Sequence, residues 1–361
     1  MSKYQIDPDI TKASTLPGSY YKDLEEFQQT KSKIFTRFWQ YIADMEVIKS
    51  PTMICPKTIL PHFLDEPILL TRDVEDRIYC LSNVCTHRAN IVAEQPGMQR
   101  KLRCRYHGRK FSLNGRFESM PEFDQVKNFP TERDNLTQIQ IEDLDSLLIF
   151  TSLDPIMDFN SYMKPVMNRI SFLPLSEFQF DPSRSRDYLV NAHWALYVDN
   201  YLEGFHIPYV HDSLNQVLDY GSYRTELFDY GTLQLGIAEG SESTFNLPDD
   251  HPDHGTVVAA YYFWLFPNIM LNFYPWGLSL NLIQPLAIDR TKISFRTYIW
   301  KPELLEQGAG AGLDRVERED EIVVENVSRG LKSRLYSSGR FSPSREQGVH
   351  HFHRLLTKNW D

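Results

Sequence analysis

The chain is short of several things that would point elsewhere. It has 4 cysteines in 361 residues, and nothing in the sequence marks the oxidising compartment that two disulfides would need, so thiol or metal chemistry is the expectation for them. No long run of Lys and Arg relieves a net charge of -10; phosphate recognition needs such clusters, which excludes a nucleic-acid partner. No window approaches the ~18 consecutive apolar residues of a membrane span. The opening "MSKYQIDPDITKAS" lacks the basic-then-apolar plan of a secretory signal, so the expectation is a cytoplasmic protein with no membrane partner. There is no internal repeat. "GAGAG" at Gly308–Gly312 lacks the strand-turn-helix setting of a nucleotide fingerprint and reads as a flexible linker.

What remains is a globular composition, 42% hydrophobic and 24% charged, with length for two separate cores. Leu24, Phe27, Ile34, Phe35 and Phe38 recur at helical spacing after the loop-like "LPGS", giving an N-terminal helical segment over 1–39 that packs on the second domain. Short β-rich runs such as "PILLTR", "RIYCLSNV" and "SLLIFTSL" make 40–153 a small antiparallel β domain. From 154 to 361 a helical segment leads to strands rich in aromatic and branched residues ("YYFWLFPNIMLNFYPWGLSLNLIQPL", "KISFRTYIW") and then a long helix, "LDRVEREDEIVVENVSRGLKSRLY". The fold class is α+β, with a long C-terminal helix packed on an antiparallel sheet.

Two short loops carry the first site. "CTHR" supplies Cys85 and His87, and "CRYHG" supplies Cys104 and His107. One such pair alone would be ordinary core, but two mixed pairs in one small domain require a shared purpose. Zinc accepts two Cys and two His, yet finger spacing groups like with like. One thiolate and one imidazole per loop instead suits a Rieske 2Fe-2S cluster, where two cysteines hold one iron and two histidines the other. Cys55 and Cys80 lie outside both loops and read as structural thiols.

The second site centres on "HWALYVDNYLEGFHIPYVH". With "HWALYVDNYLEGFH" read as a helix, Trp194, Tyr197, Val198, Tyr201, Leu202 and Phe205 gather on an apolar face and Asp199, Glu203 and His206 on the adjoining flank. Pro208 predicts a bend just after His206 that frees His211 to aim at the same point. In the C-terminal helix, Val316, Val323, Val324, Val327 and Leu331 make one stripe with Asp320 in its middle. Glu317 falls at its edge, while Glu319, Glu321 and Glu325 point away. A carboxylate on a buried face needs a partner, so Asp320 is the candidate third ligand beside His206 and His211. A salt bridge to a buried arginine fits that helix equally well. Two histidines and one carboxylate form the facial triad of non-haem iron(II) oxygenases.

On these motifs essentially the whole chain, from "FTRFWQYI" through "NYLEGFHIPYVH" to "EDEIVVENVSRGLKS", resembles the oxygenase component of Rieske non-haem iron oxygenases. The resemblance implies a helix-grip catalytic domain, a Rieske cluster on Cys85, His87, Cys104 and His107, and iron(II) on His206, His211 and Asp320. It implies a homotrimer, with Glu203 the acid that bridges a neighbour's cluster to this iron. Asp199 is the alternative bridge. A separate flavin or iron-sulfur reductase would bring electrons from NADH or NADPH, since the chain shows no fold for either cofactor. Ring-hydroxylating members usually carry Asp at the Glu203 position, and Glu there resembles enzymes of choline, carnitine and betaines. The expected reaction is therefore oxygenation of a small quaternary amine, with ring hydroxylation the alternative and a bare electron carrier the non-enzyme reading. Tyr197, Tyr209, Phe263, Trp264, Phe273 and Trp276 are candidates for lining a trimethylammonium pocket.

Overall fold

A computed structural model of the chain describes residues 3–211, 221, 223–238, 243–305 and 307–360. It divides into two compact units, Phe35–Met157 and Met1–Ile34 together with Asp158–Asp361.

The Phe35–Met157 unit is built from strands β1 (Gln40–Asp44), β2 (Met53–Ile59), β3 (Glu66–Arg72), β4 (Ile78–Ser82), β5 (Gly97–Met98), β6 (Leu102–Arg103), β7 (Lys110–Phe111), β8 (Phe117–Ser119), β9 (Gln138–Leu144) and β10 (Leu148–Ser152). Seven pair in the order β1-β10-β9-β4-β3-β2-β5, and β6-β7-β8 form a second small sheet. Ile54, Leu69, Leu81, Leu102, Phe111 and Leu136 make a core that also takes in Cys85 and Cys104. The thiols thus sit at the inner end of their loops. Cys55 and Cys80 are buried within β2 and β4.

Arg109, just past the second loop, is 2% exposed. Its guanidinium lies 4.8 Å from the Phe117 ring centroid and donates to Asp134 Oδ1 at 2.6 Å. Burial raises the Asp134 carboxyl, but hydrogen bonds from Thr131 and Arg109 outweigh that and hold it below the ordinary carboxylate value. A depressed carboxylate contributes stability that is complete above its unfolded pKa and is lost as pH falls through the folded one. Asp134→Ala strands a buried cation and is expected to destabilise this unit by about 3–5 kcal/mol at neutral pH. Chemical denaturation against pH checks it, the wild-type excess shrinking toward acid pH.

In the other unit, α1 (Leu24–Thr30) starts at Asp23, whose carboxylate accepts from the backbone N–H groups of Glu25 and Glu26. The N-terminal helix is shorter than its apolar spacing predicts. The α-helical hydrogen bonding ends at Thr30 and widens to a π turn over Lys31–Phe35, while Leu24 is 63% exposed; the register shift, not one continuous face, buries Ile34. After α2 (Phe159–Ile170) come β11 (Gln179–Val190), α3 (Trp194–Tyr201), α4 (Ile207–Val210), β12 (Arg224–Phe228), β13 (Gly231–Ile237), β14 (Val258–Leu265), β15 (Ile269–Tyr274), β16 (Gly277–Ala287), β17 (Arg290–Ile299), α5 (Leu313–Gly330) and α6 (Gln347–Thr357). The strands form one antiparallel sheet, β11-β17-β16-β15-β14-β13-β12, and α3 packs against both α5 and β16. The α+β class and the antiparallel sheet with C-terminal helices are as the sequence predicts.

The glycine-rich stretch is no flexible linker. Ala309 and Gly310 are buried, and a Cβ on Gly310 would lie 2.1 Å from Trp276 Nε1. Only glycine permits that approach.

Candidate metal centres and substrate cavity

The two Cys-His loops are built on one hydrogen-bonding plan. Cys85 N–H donates to Asn90 O and Ala89 N–H to Cys85 O; Cys104 N–H donates to Arg109 O and Gly108 N–H to Cys104 O. The fourth residue after each cysteine turns left-handed, Ala89 at φ 54° and Gly108 at 77°. One extra residue before the second histidine is absorbed within this shared turn. The ring centroids of His87 and His107 are 4.8 Å apart. Burial pushes the Cys85 thiol up, with Cys104 adding to it, and burial also lowers His87. The Nδ1 atom of His107 is buried with no hydrogen-bond partner among the described residues. An orphaned imidazole nitrogen beside a second imidazole, with two buried thiols behind, is a donor set that fits a Rieske cluster.

His206, His211 and Asp320 converge, their ligand atoms within 4.8 Å of one another. The helix carrying the first part is shorter than the sequence predicts. Helix α3 stops at Tyr201, where Leu202 N–H donates to Val198 O and Asp199 O, and the chain turns through 202–206. The bend therefore precedes His206, and Pro208 sits in the first turn of α4, where its missing N–H costs nothing. Phe205 lies in that turn, 39% exposed, and is no part of the buried face.

Glu203 organises the turn. Its Oε2 accepts from His206 N–H at 3.0 Å and its Oε1 faces His206 Nδ1 at 2.7 Å. His206 Nε2 is thereby aimed at Asp320 Oδ1, 3.4 Å away, and His211 Nε2 reaches the same oxygen at 3.0 Å. Burial opposes charge on His206, but Asp320 and Glu203 outweigh it and carry its pKa up to about 9. Burial would raise Asp320, and the two histidines instead hold it below its ordinary value. Positive charge is favoured at the point the three residues share, and both Nε2 atoms are turned to it. Two imidazoles with carboxylate-held Nδ1 atoms and one carboxylate fit a mononuclear iron.

Asp199 is taken up elsewhere: its oxygens meet His353 Nε2 at 2.9 Å and the Tyr21 hydroxyl at 3.0 Å. Helix α6, which carries His353, was not foreseen from the sequence.

Glu319 does not point away. Its Oε2 lies 2.8 Å from His211 Nδ1, and Arg315 holds its other oxygen at 3.0 Å. Nor is Glu317 at an edge. The buried line of α5 runs Glu317, Val324, Ser328, with Val327 44% exposed, so Asp320 and Glu317 share the inner face one turn apart. Val316, Val323 and Val327 are not its centre. Removing the partner of a metal-binding histidine costs about 10- to 100-fold in metal affinity, and Glu319→Ala is expected to do this to iron binding while leaving the Cys-His loops loaded. An iron titration checks it.

A cavity of about 120 Å³ opens beside Asp320, lined by Tyr197, Tyr201, Tyr223, Tyr262, Tyr274 and Phe295 together with Asn200, Gln234, Asn272 and Asn281. Of the aromatic candidates only Tyr197 lines it. Gln234, Tyr262, Asn272 and Ser279 form one cross-strand row over β13 to β16, all on the cavity face. Phe263 and Phe273 are one residue out of step and face the opposite side. Trp264 packs on Phe352, Trp276 stacks behind Tyr274, and Tyr209 is 79% exposed.

The fold and both donor sets define an iron-sulfur oxygenase, and sequence comparison agrees. The chain belongs to the ring-hydroxylating alpha subunit family of Rieske non-haem iron oxygenases: the family's catalytic-domain model matches residues 177–360, and the Rieske [2Fe-2S] domain model matches 39–130. Among named relatives it is 28% identical to choline monooxygenase of Spinacia oleracea, over 97% of this chain and 80% of the relative. It is 26% identical to the carnitine monooxygenase oxygenase subunit of Escherichia coli K12, over 96% and 94%. A quaternary ammonium Rieske monooxygenase solved with L-carnitine shares the fold, with TM-score 0.75, 22% identity and 97% and 96% coverage. Naphthalene 1,2-dioxygenase from Rhodococcus sp. does too, at TM-score 0.71, 18% identity and 95% and 93% coverage.

Proposed function

We propose that this enzyme is the terminal oxygenase of a multicomponent monooxygenase acting on a small quaternary ammonium compound such as choline, carnitine or a betaine. The observation that carries the reading is the cavity beside His206, His211 and Asp320. It is lined by tyrosines and carboxyl groups, which together suit an onium head, attracted to ring faces and to negative charge alike. The choline and carnitine monooxygenases among its relatives support it.

Iron held by His206, His211 and Asp320 would leave positions open for dioxygen and substrate, and a Rieske cluster held by Cys85, His87, Cys104 and His107 would store one of the two electrons needed. The chain's own residues do the rest. Glu203 and Glu319 fix the His206 and His211 rings, Asp320 completes the site, and the tyrosines hold the substrate's C–H bond near it with little water. The reaction balances as substrate C–H, O2, two electrons and two protons giving C–OH and water. Hydroxylation at an N-methyl carbon would end in loss of formaldehyde. The electrons come from a separate flavin or iron-sulfur reductase fed by NADH or NADPH. Glu203 would bridge a neighbouring subunit's cluster histidine to His206, which makes the working assembly a homotrimer. Iron analysis distinguishes this from a simple electron carrier, ~3 irons per chain against ~2. Mass spectrometry of choline, carnitine, betaines and naphthalene turned over with a reductase tests the reaction: a hydroxylated or demethylated onium product is expected, and unchanged onium with hydroxylated naphthalene would favour ring hydroxylation instead.

A further inference from the structure

Glu317 lines the cavity and is 4% exposed. Its Oε2 accepts a 2.5 Å hydrogen bond from the Tyr197 hydroxyl, and its Oε1 is buried with no partner among the described residues. The other cavity carboxyls are answered: Glu203 by His206, and Asp320 by His206 and His211. Glu317 has neither histidine nor basic side chain, and burial pushes its pKa well above the ordinary value. A buried oxygen without a partner costs free energy. A permanent cation seated in the cavity would remove that cost, because it supplies the missing counter-charge without needing a donor hydrogen.

The converse charge is missing. No Lys or Arg lines the cavity, and none of residues 1–2, 212–220, 222, 239–242, 306 and 361 is Lys or Arg. Apart from the iron position itself, a substrate carboxylate brought here would find only neutral donors such as Asn200, Gln234 and Asn281 and no basic side chain to pair with.

We propose that Glu317 is the residue that recognises the onium charge, and that the cavity selects an onium alcohol or simple onium ion over an onium acid. This rests on the proposed onium oxidation and narrows it: choline fits, whereas carnitine and betaines carry a carboxylate for which the lining holds no basic side chain. Tyr197 holds the Glu317 carboxyl in place and offers its own ring face to the same head group. Glu317 touches substrate to select it and takes no part in electron or proton transfer.

Calorimetric titration of the iron-loaded full-length protein with choline, L-carnitine, naphthalene and 3,3-dimethylbutan-1-ol, the neutral carbon isostere of choline, tests this. In wild type choline is expected to bind about 10- to 100-fold more tightly than L-carnitine or the isostere. In Glu317→Gln the preference for choline over the isostere should fall by about 10-fold or more, with the isostere's own affinity nearly unchanged. Choline affinity retained in a Glu317→Gln protein of unaltered thermal midpoint overturns the role of Glu317. Equal wild-type binding of choline and the isostere overturns it too, without any variant. Carnitine bound as tightly as choline overturns the selection against acids. If neither onium compound binds and naphthalene does, the onium reading itself has failed.

Discussion

Asp320→Ala lowers substrate-dependent oxygen consumption by at least about a thousandfold, well beyond the 10- to 100-fold that loss of an outer partner such as Glu319 costs. The carboxylate oxygen of Asp320 is the point on which both Nε2 atoms close, at 3.4 Å from His206 and 3.0 Å from His211. Without it two imidazoles face each other across the site with only Glu203 and Glu319 behind them. Iron content should fall from ~3 to ~2 per chain while the cluster's absorbance persists. Full activity, or retention of all iron, in a folded Asp320→Ala protein would remove the third ligand from the site.

Glu203→Gln should separate two roles that one side chain could play. If Glu203 only orients His206, its loss weakens iron binding by about 10- to 100-fold and saturating iron restores the rate. If it also bridges the electron path from a neighbouring subunit, saturating iron refills the site and both centres are reducible, yet turnover stays down by more than about 100-fold. The second outcome is expected. The glutamine keeps an oxygen for His206 N–H, so the turn at 202–206 should survive, and iron analysis with stopped-flow reduction of the cluster reads both quantities in one preparation. Asp199 is engaged elsewhere, its oxygens meeting His353 and Tyr21.

How much of this could be read from the sequence depends on how local each signal is. The Cys85–His87 and Cys104–His107 pairs declare themselves because their donors lie two or three residues apart on a single turn. Asp320 was visible because an acid among valines is costly. Glu319 was not: a helical wheel rotates it about 100° from Asp320, and only the length of its side chain lets it reach His211. Glu317 was discounted as an edge residue, although its spacing of three from Asp320 and seven from Val324 is that of one face. The cavity tyrosines needed the strand register. Tyr262 and Phe263 are neighbours in sequence and face opposite sides of the sheet, so aromatic content alone chose the wrong ones. Pro208 predicts a break after His206, but α3 ends at Tyr201 and Pro208 sits in the first turn of α4, where it is well suited.

The central claim is that the iron-centred cavity oxygenates a small onium compound. It is tested most directly by oxygen-electrode traces of the iron-loaded protein with a reductase and NADH, comparing choline with naphthalene. Oxygen uptake that rises on adding choline, with one onium product formed per oxygen consumed, is predicted. Uptake coupled to naphthalene and indifferent to choline would contradict it.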